Sequence, residues 1–382
     1  MTTEHPIFSP ERPEDRRFMA AAIRYAMRNV GRTGTNPSVA TLIVRDESDG
    51  RGPRIVGRGV TALGGRPHAE AGALAEAGEL ARGATAYVTL EPCAHHGRTP
   101  PCAEALVRAG IARVVSAAAD PDPRVNGKGH GMLLAGGVSV TPQVMAGEAA
   151  RTIEGYLTRH RLGRPGVTLK LALSRDGRIG VRGGGQVKIT GPTSDAQTHL
   201  VRARHDAILV GAGTALEDDP RLDCRLPGLG DRSPARIVLD PHLRTSPEMT
   251  VARTARTVPT MIATYQSSDA GRRAALAVEG VSFVACVPDP ETGRVALPEL
   301  LEDLAATGIT SIMVEGGATI AASFLDASLV DRLILAEGAI EIGEDGLKAP
   351  IDVDGARRRF DLLRQDVFGA DRWFEFSCGD RL

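Results

Sequence analysis

An α/β chain of two or three domains is what the sequence predicts, on three observations. Its 382 residues exceed what one compact domain usually holds. Short runs rich in Val, Ile and Thr alternate with alanine-rich helical stretches, the pattern of helices layered on a sheet. A breaker cluster, Gly163-Arg164-Pro165-Gly166, interrupts that series and sets the predicted boundary between residues 1–162 and 163–382.

Apolar spacing predicts a helix over 11–30, with Phe18, Ala22, Tyr25 and Ala26 on one face and Gly31 as its stop. Strands are predicted at 39–45, 55–61, 85–90 and 113–118, with helices at 69–80 and 103–108 between the later ones. A helical stretch at 146–162 leads into the breaker cluster. The second series has strands at 167–173, 207–210, 236–239, 260–263, 281–285, 311–314 and 332–336, and helices near 194–203 and 319–325. Residues 226–233, rich in Pro, Arg and Asp, read as a surface loop.

Hydrophobic residues make up 42% of the chain and charged residues 24%, enough apolar surface to exclude a disordered or collagen-like chain. With 46 basic and 47 acidic residues, the net charge of −1 argues against a nucleic-acid or membrane-surface partner. No apolar run reaches the length of about 18 residues that a membrane helix needs, and the first residues lack a signal-peptide pattern, so a cytoplasmic protein is expected. Only Lys128, Lys170, Lys188 and Lys348 are lysines, which leaves 42 arginines. Genomic codon bias is the plainer account of that excess, and phosphate recognition by the planar guanidinium is the other. The five cysteines are odd in number and sparse, which favours thiol or metal chemistry over a disulfide framework.

His68-Ala69-Glu70 and, one strand later, Glu91-Pro92-Cys93 followed by Cys102 carry the clearest chemistry. One imidazole and two thiolates suit tetrahedral Zn²⁺ with a fourth position left for water, and zinc lowers the pKa of such a water towards neutrality. Glu70, two residues beyond the histidine, is placed to shuttle protons without ligating the metal. The pattern matches the H-x-E…P-C signature of zinc-dependent nucleobase deaminases, except that eight residues separate Cys93 from Cys102 where C-x-x-C is usual. A closed structural site with His95 or His96 as fourth ligand is the competing reading, and the same two histidines are alternatively substrate contacts. Pro101 suits a helix start at Cys102, where the helix N-terminus would favour a thiolate. Cys224, Cys286 and Cys378 have no ligand-like spacing.

The whole string from Thr89 to Cys102, TLEPCAHHGRTPPC, resembles the deaminase of bacterial riboflavin biosynthesis, in which the longer spacing is the rule. Asn36-Pro37 and Pro67-His68-Ala69-Glu70 fit the same family. The resemblance implies a cytidine-deaminase-like three-layer domain over 1–162, with His68, Cys93 and Cys102 on zinc, Glu70 as the catalytic acid/base and Asn36 in the pyrimidine pocket.

Three stretches stand out in the second half: Lys170 to Ile179, running into an Asp176-Gly177 turn; Val210-Gly211-Ala212-Gly213-Thr214; and Met313 to Thr319 with its glycine pair. Glycine-rich strand-to-helix turns admit phosphate to backbone N–H groups, although neither is a full G-x-G-x-x-G and tight packing explains each as well. In order and spacing the three resemble the reductase half of the same riboflavin enzyme. That resemblance implies a dihydrofolate-reductase-like domain over 163–382 that uses NADPH. By it, Ala172, Lys188, Thr214, Asp218, Gly317, Ala318, Thr319, Ile320, Ala321, Ala322 and Ser323 fall at cofactor positions. Gln186, Arg202, Leu222, Arg225 and Glu315 fall at substrate positions, with the two arginines as phosphate partners.

Lys188 stands where many relatives carry a tryptophan, and Pro241 where some are polar. Lys170, Asp218 and Glu315 are the candidates for the reductase's proton donor. The implied activity is bifunctional: hydrolytic deamination of a ribosylated diaminopyrimidinone 5′-phosphate, then reduction of the ribosyl chain to ribityl, in a homo-oligomer without a nucleic-acid or membrane partner. Two rivals are a nucleic-acid base deaminase, against which the 3% aromatic content counts, and a zinc deaminase whose second domain only dimerises.

Overall fold

In the computed structural model, which describes residues 8–46, 52–97, 100–181, 183–185 and 187–379, two compact units divide the chain at Leu162/Gly163. Helix α1 (Asp15–Ala26) opens the first, burying Phe18, Ala22 and Ala26. It is shorter than the 11–30 expected from spacing. Asp15 accepts the N–H of Arg12 at 2.7 Å, turning the chain before the helix starts, and a single 3₁₀ turn (Met27–Asn29) ends it. Asp15 is fully buried because Arg113 meets both its oxygens at 2.8 and 2.7 Å and the Tyr87 hydroxyl donates at 2.9 Å.

Strands β1 (Ala40–Arg45), β2 (Arg54–Val60), β3 (Thr85–Leu90), β4 (Arg113–Ala118) and β5 (Ser139–Thr141) form one sheet in the order β2-β1-β3-β4-β5. The β2, β1 and β3 pairings are antiparallel, while β3, β4 and β5 run parallel. Helices α2 (Ala69–Ala77), α3 (Cys102–Arg108), α4 (Lys128–Ala135), α5 (Ala146–Thr152) and α6 (Glu154–Leu162) complete the unit. The single helix expected at 146–162 is two. It breaks at Ile153 (φ −124°, ψ 23°), whose side chain is buried at the bend. Helix α4 and strand β5 escape sequence reading because one is threaded with glycines and the other is three residues long.

Helix α2 lies almost on strand β2, and glycine is what permits it. A Cβ on Gly59 would fall 1.9 Å from the Ala69 carbonyl oxygen, and one on Gly57 would fall 2.3 Å from that of Ala73.

The second unit begins with the breaker cluster itself. Arg164 grips buried Asp331 through two hydrogen bonds of 2.7 and 2.8 Å, and Asp331 also accepts the Val167 N–H at 2.8 Å. From there run β6 (Gly166–Leu173), β7 (Arg178–Val181), α7 (Pro192–Arg202), β8 (Ala207–Gly211), α8 (Ala212–Asp218), β9 (Ala235–Leu239), α9 (Thr250–Arg253), β10 (Thr260–Tyr265), α10 (Ala270–Val278) and β11 (Ser282–Cys286). They are followed by α11 (Leu297–Ala306), β12 (Ser311–Glu315), α12 (Ala318–Asp326), β13 (Arg332–Glu337), β14 (Gly346–Lys348), α13 (Val353–Arg359), β15 (Asp361–Phe368) and β16 (Asp371–Ser377).

Nine strands make one sheet in the order β11-β10-β9-β8-β12-β6-β13-β16-β15, parallel as far as β13 and antiparallel beyond it. All seven strands expected here form. Leu169, Leu171 and Leu173 face a core with Leu300, Leu304, Phe324 and Phe376, so alternation along β6 turns Thr168, Lys170 and Ala172 to the other face. Among the described residues no helix is long and apolar enough to cross a membrane.

Gly59→Ala is predicted to push α2 off β2 at a cost of about 1–3 kcal/mol, the range for an overpacked contact. Thermal unfolding of the purified protein measures it, and an unchanged Tm would show that the approach is slack.

Candidate active sites

His68 ends an extended segment as the N-cap of α2, so Glu70 falls in that helix's first turn and both point to the C-terminal end of β3. Cys93 lies three residues beyond β3, and Cys102 is the first residue of α3, with Pro101 as its N-cap. The donor atoms of His68, Cys93 and Cys102 lie within 4.8 Å of one another. His68 Nδ1 stands 3.7 Å from the Cys93 sulfur and 3.5 Å from that of Cys102. Tetrahedral zinc, with bonds of about 2.3 Å to sulfur and 2.0 Å to nitrogen, requires about 3.6 Å between such atoms, so the donor set fits zinc.

At the start of α3 the Cys102 N–H donates to the Cys93 sulfur at 3.3 Å. With the Cys102 thiol as hydrogen-bond donor, Cys93 is held well below the usual thiol range and Cys102 well above it. Burial pushes the Glu70 carboxyl up, as fits a group that must take and return a proton.

The site opens into a cavity of about 460 Å³. Asn36 lines it, its amide N–H held by the Gly65 carbonyl at 2.9 Å. His95 and His96 line it too, and among the described residues neither joins the metal-binding group, which leaves three protein ligands.

Sequence reading assigned no role of their own to Glu91, Asp120 and Tyr156, which also line this wall. Glu91 is buried and accepts the N–H groups of Gly127, Gly129 and His130 at 3.1, 3.0 and 3.3 Å, so it fixes the start of α4. The available signal was Gly129, where a Cβ would strike the Pro92 carbonyl oxygen at 2.0 Å. Tyr156 donates to Asp120 at 2.9 Å, and burial raises that carboxyl above its ordinary range.

The second site forms where β6 and β12 pair, and Lys170 stands level with Glu315. Arg202 clamps Glu315 through Nε–Oε1 and Nη2–Oε2 contacts of 2.7 and 2.6 Å, and donates a third bond to the Asp223 carbonyl at 3.1 Å. Burial pushes the Lys170 ammonium down, partly offset by Glu315. Leu222 is buried at φ +53°, and Arg225 pairs with the Asp223 carboxylate at 2.6 Å. Both arginines expected to meet phosphate thus already hold carboxylates.

The two glycine turns abut. The Gly317 N–H donates to the Thr214 hydroxyl at 3.1 Å, and Gly316 sits at φ +125°, where a Cβ would come 3.0 Å from that same oxygen. Bare backbone beside the first turn of α12 fits a dinucleotide's phosphates. Ala172, Ala318, Ile320, Ala322 and Ser323 are half-buried and Thr319 is exposed, but the Ala321 side chain is fully buried in the core and only its backbone could serve. Asp218 ends α8, its carboxyl raised by burial. Lys188 is exposed and pairs with Asp195 at 3.5 Å. Gln186 lies outside the described residues.

Cys93→Ser is predicted to abolish stoichiometric zinc by elemental analysis, and a full complement of metal in that variant would remove Cys93 from the ligand set.

The family described as the RibD C-terminal domain matches residues 165–372, and that described as the cytidine and deoxycytidylate deaminase zinc-binding region matches 12–118. The riboflavin biosynthesis protein RibD of Bacillus amyloliquefaciens is 40% identical over 338 residues, covering 88% of this chain and 87% of the relative. That of Escherichia coli K12 is 39% identical over 344 residues, covering 87% and 89%. Among solved structures, Acinetobacter baumannii RibD superposes with a TM-score of 0.82 at 34% identity, covering 95% of this chain and 98% of that one. A diaminohydroxyphosphoribosylaminopyrimidine deaminase/5-amino-6-(5-phosphoribosylamino)uracil reductase from Thermotoga maritima gives 0.80 at 30%, with the same coverage.

Proposed function

The chain belongs to the RibD family of riboflavin-biosynthesis enzymes, and we infer from the two sites which of its residues carry each of the two activities. It is a zinc-dependent deaminase joined to an NADPH-dependent reductase. The observation that carries the reading of the first half is the His68–Cys93–Cys102 triangle with buried Glu70 beside it.

In the deaminase half, His68, Cys93 and Cys102 would hold zinc, which supplies Lewis acidity to water at its open position. Glu70 takes a proton from the attacking water as oxygen adds to C2 of the pyrimidinone. It passes that proton to the ring nitrogen, then moves the proton of the new C2 hydroxyl to the amino group, so that the C2–N bond breaks, the carbonyl forms and ammonia leaves. Asn36, fixed by Gly65, orients the pyrimidine.

In the reductase half, the turns at Gly211–Thr214 and Gly316–Thr319 would hold NADPH, which supplies a hydride to the ribosyl C1′ of the open-chain imine. The nitrogen of that imine needs one proton. Glu315 is a poor donor, because Arg202 holds its carboxyl below the usual range against the pull of burial. Lys170, buried, lowered by desolvation and on the same face of β6 as Ala172, is the better one. Arg202 and Arg225 meet the substrate phosphate while keeping their carboxylate partners, since each guanidinium has N–H groups to spare.

The homo-oligomer fits the β15 edge, whose Leu362, Leu363 and Val367 are exposed. The cytoplasm fits five unpaired cysteines.

Glu70→Gln should keep its zinc and lose ammonia release by about 10²-fold or more, the scale of a missing acid/base. A variant that still deaminates at the parent rate would displace Glu70 from that role. Lys170→Met should lower turnover of NADPH oxidation by about 10²-fold or more with the NADPH dissociation constant unmoved. Rate loss confined to KM would make Lys170 a substrate-binding group instead of the donor.

A further inference from the structure

Of the three residues in the metal-binding triangle, His68 caps a helix and Cys102 begins one, whereas Cys93 belongs to no helix or strand. Its place therefore depends on what holds the chain on either side. Behind it, α3 supplies two hydrogen bonds, from the Ala103 N–H to the Cys93 carbonyl at 3.2 Å and from the Cys102 N–H to its sulfur at 3.3 Å. Ahead of it, only Glu91 and Pro92 separate Cys93 from the end of β3 at Leu90.

The Glu91 N–H still donates to the Ala118 carbonyl at 2.9 Å, so its backbone continues the β3–β4 ladder. Its side chain leaves the sheet for α4. Oε1 accepts the N–H groups of Gly129 and His130, and Oε2 that of Gly127. The residue is 3% exposed, and among the described residues no lysine or arginine pairs with it. His130, with Nδ1 3.9 Å from Oε1, is its one partner that could carry positive charge. The buried carboxylate is met instead by backbone donors at a helix start, where the helix dipole favours an anion.

Gly129 closes the same contact from the helix side. A Cβ there would lie 2.0 Å from the Pro92 carbonyl oxygen and 3.1 Å from Glu91 Oε1. Pro92 adds stiffness, because its ring fixes φ between the anchored glutamate and the cysteine. We propose that Glu91 is a positioning residue for the deaminase half: its carboxylate anchors segment 91–93 to α4, and that anchor keeps Cys93 on the zinc that the reading under Proposed function places among His68, Cys93 and Cys102.

Loss of zinc from the full-length protein to excess chelator, timed with a colorimetric zinc indicator, tests it. In Glu91→Gln the amide NH₂ must face a backbone N–H whichever way it turns, so one of the three contacts becomes donor against donor. Zinc should then leave about tenfold faster or more, the scale of losing a group that orients a ligand. Gly129→Ala, which keeps the carboxylate but forces α4 off Pro92, should speed zinc loss as well. Gly131→Ala, in the same helix with open space where its Cβ would go, should keep the wild-type rate. So should Asp15→Asn, which lowers Tm by loosening the Arg113 pair elsewhere in the unit.

A wild-type rate of zinc loss in Glu91→Gln overturns the proposal. Zinc loss that merely tracks Tm across Glu91→Gln and Asp15→Asn does so too, since Glu91 would then be a helix cap and nothing more. If Glu91→Gln does not fold, a wild-type rate in Gly129→Ala has the same force. Wild-type protein that holds no zinc at all removes the metal reading and this inference together, whereas zinc held equally long with and without the carboxylate removes this inference alone.

Discussion

A candidate metal ligand and a candidate proton shuttle two residues apart can serve one water only if the helix that begins between them is held close against the sheet. In the deaminase unit that constraint is met by the missing side chains of Gly57 and Gly59, which let α2 approach β2 until Ala69 and Ala73 carbonyls occupy the space a Cβ would take. The approach sets the depth of His68 and buries Glu70. The same economy recurs on the opposite wall, where Gly129 lets α4 touch Pro92 and Glu91 caps that helix. Two close helix approaches therefore hold the segments that bring Cys93 and His68 together, and neither involves a ligand atom.

The reductase unit solves a different problem, the storage of charge at a half-buried site. Lys170, Arg202 and Glu315 bring two cations and one anion into a space with little water. The bidentate Arg202–Glu315 pair settles two of them, because a planar fork matched to a carboxylate recovers much of what desolvation costs. Lys170 is left without a fork of its own and bears the desolvation. Its lowered pKa follows from the arginine's better claim on Glu315.

How much of this was legible in the sequence follows from how local each signal is. The candidate zinc ligands fall within one helix turn and one strand–loop–helix connection, so spacing alone singled them out, and the string from Thr89 to Cys102 located the family. Apart from the three-residue β5, the parallel strands of both units were read because strands buried on both faces are continuous apolar runs. What escaped depends on contacts distant in sequence. Glu91 is a plain acidic residue until α4, some 36 residues later, supplies the N–H groups it caps. The hairpin of β15 and β16 was missed because β15 lies at a sheet edge with nearly every side chain exposed, so it lacks the alternation that marks a strand. The pairing of Arg202 with Glu315 spans 113 positions, and no spacing rule reaches across it.

The arginine excess, which composition alone left between codon bias and phosphate recognition, acquires a third account from the fold. Arg113 on Asp15, Arg164 on Asp331 and Arg202 on Glu315 are all two-pronged and largely buried, a geometry that an ammonium cannot reproduce. Arg236 goes further. It is 1% exposed, among the described residues no carboxylate forms an ion pair with it, and its donors go to the hydroxyls of Thr254 and Thr260 and the carbonyls of Arg221, Val251 and Val258. Burial lowers its pKa to about 10, still far enough above neutrality that it remains a cation. By holding the Arg221 carbonyl it also steadies the segment that carries Leu222, Asp223 and Arg225. A chain nearly devoid of lysine can therefore staple loops with guanidinium groups in its interior. The arginines most informative about ligands are consequently those whose forks the fold has not already filled.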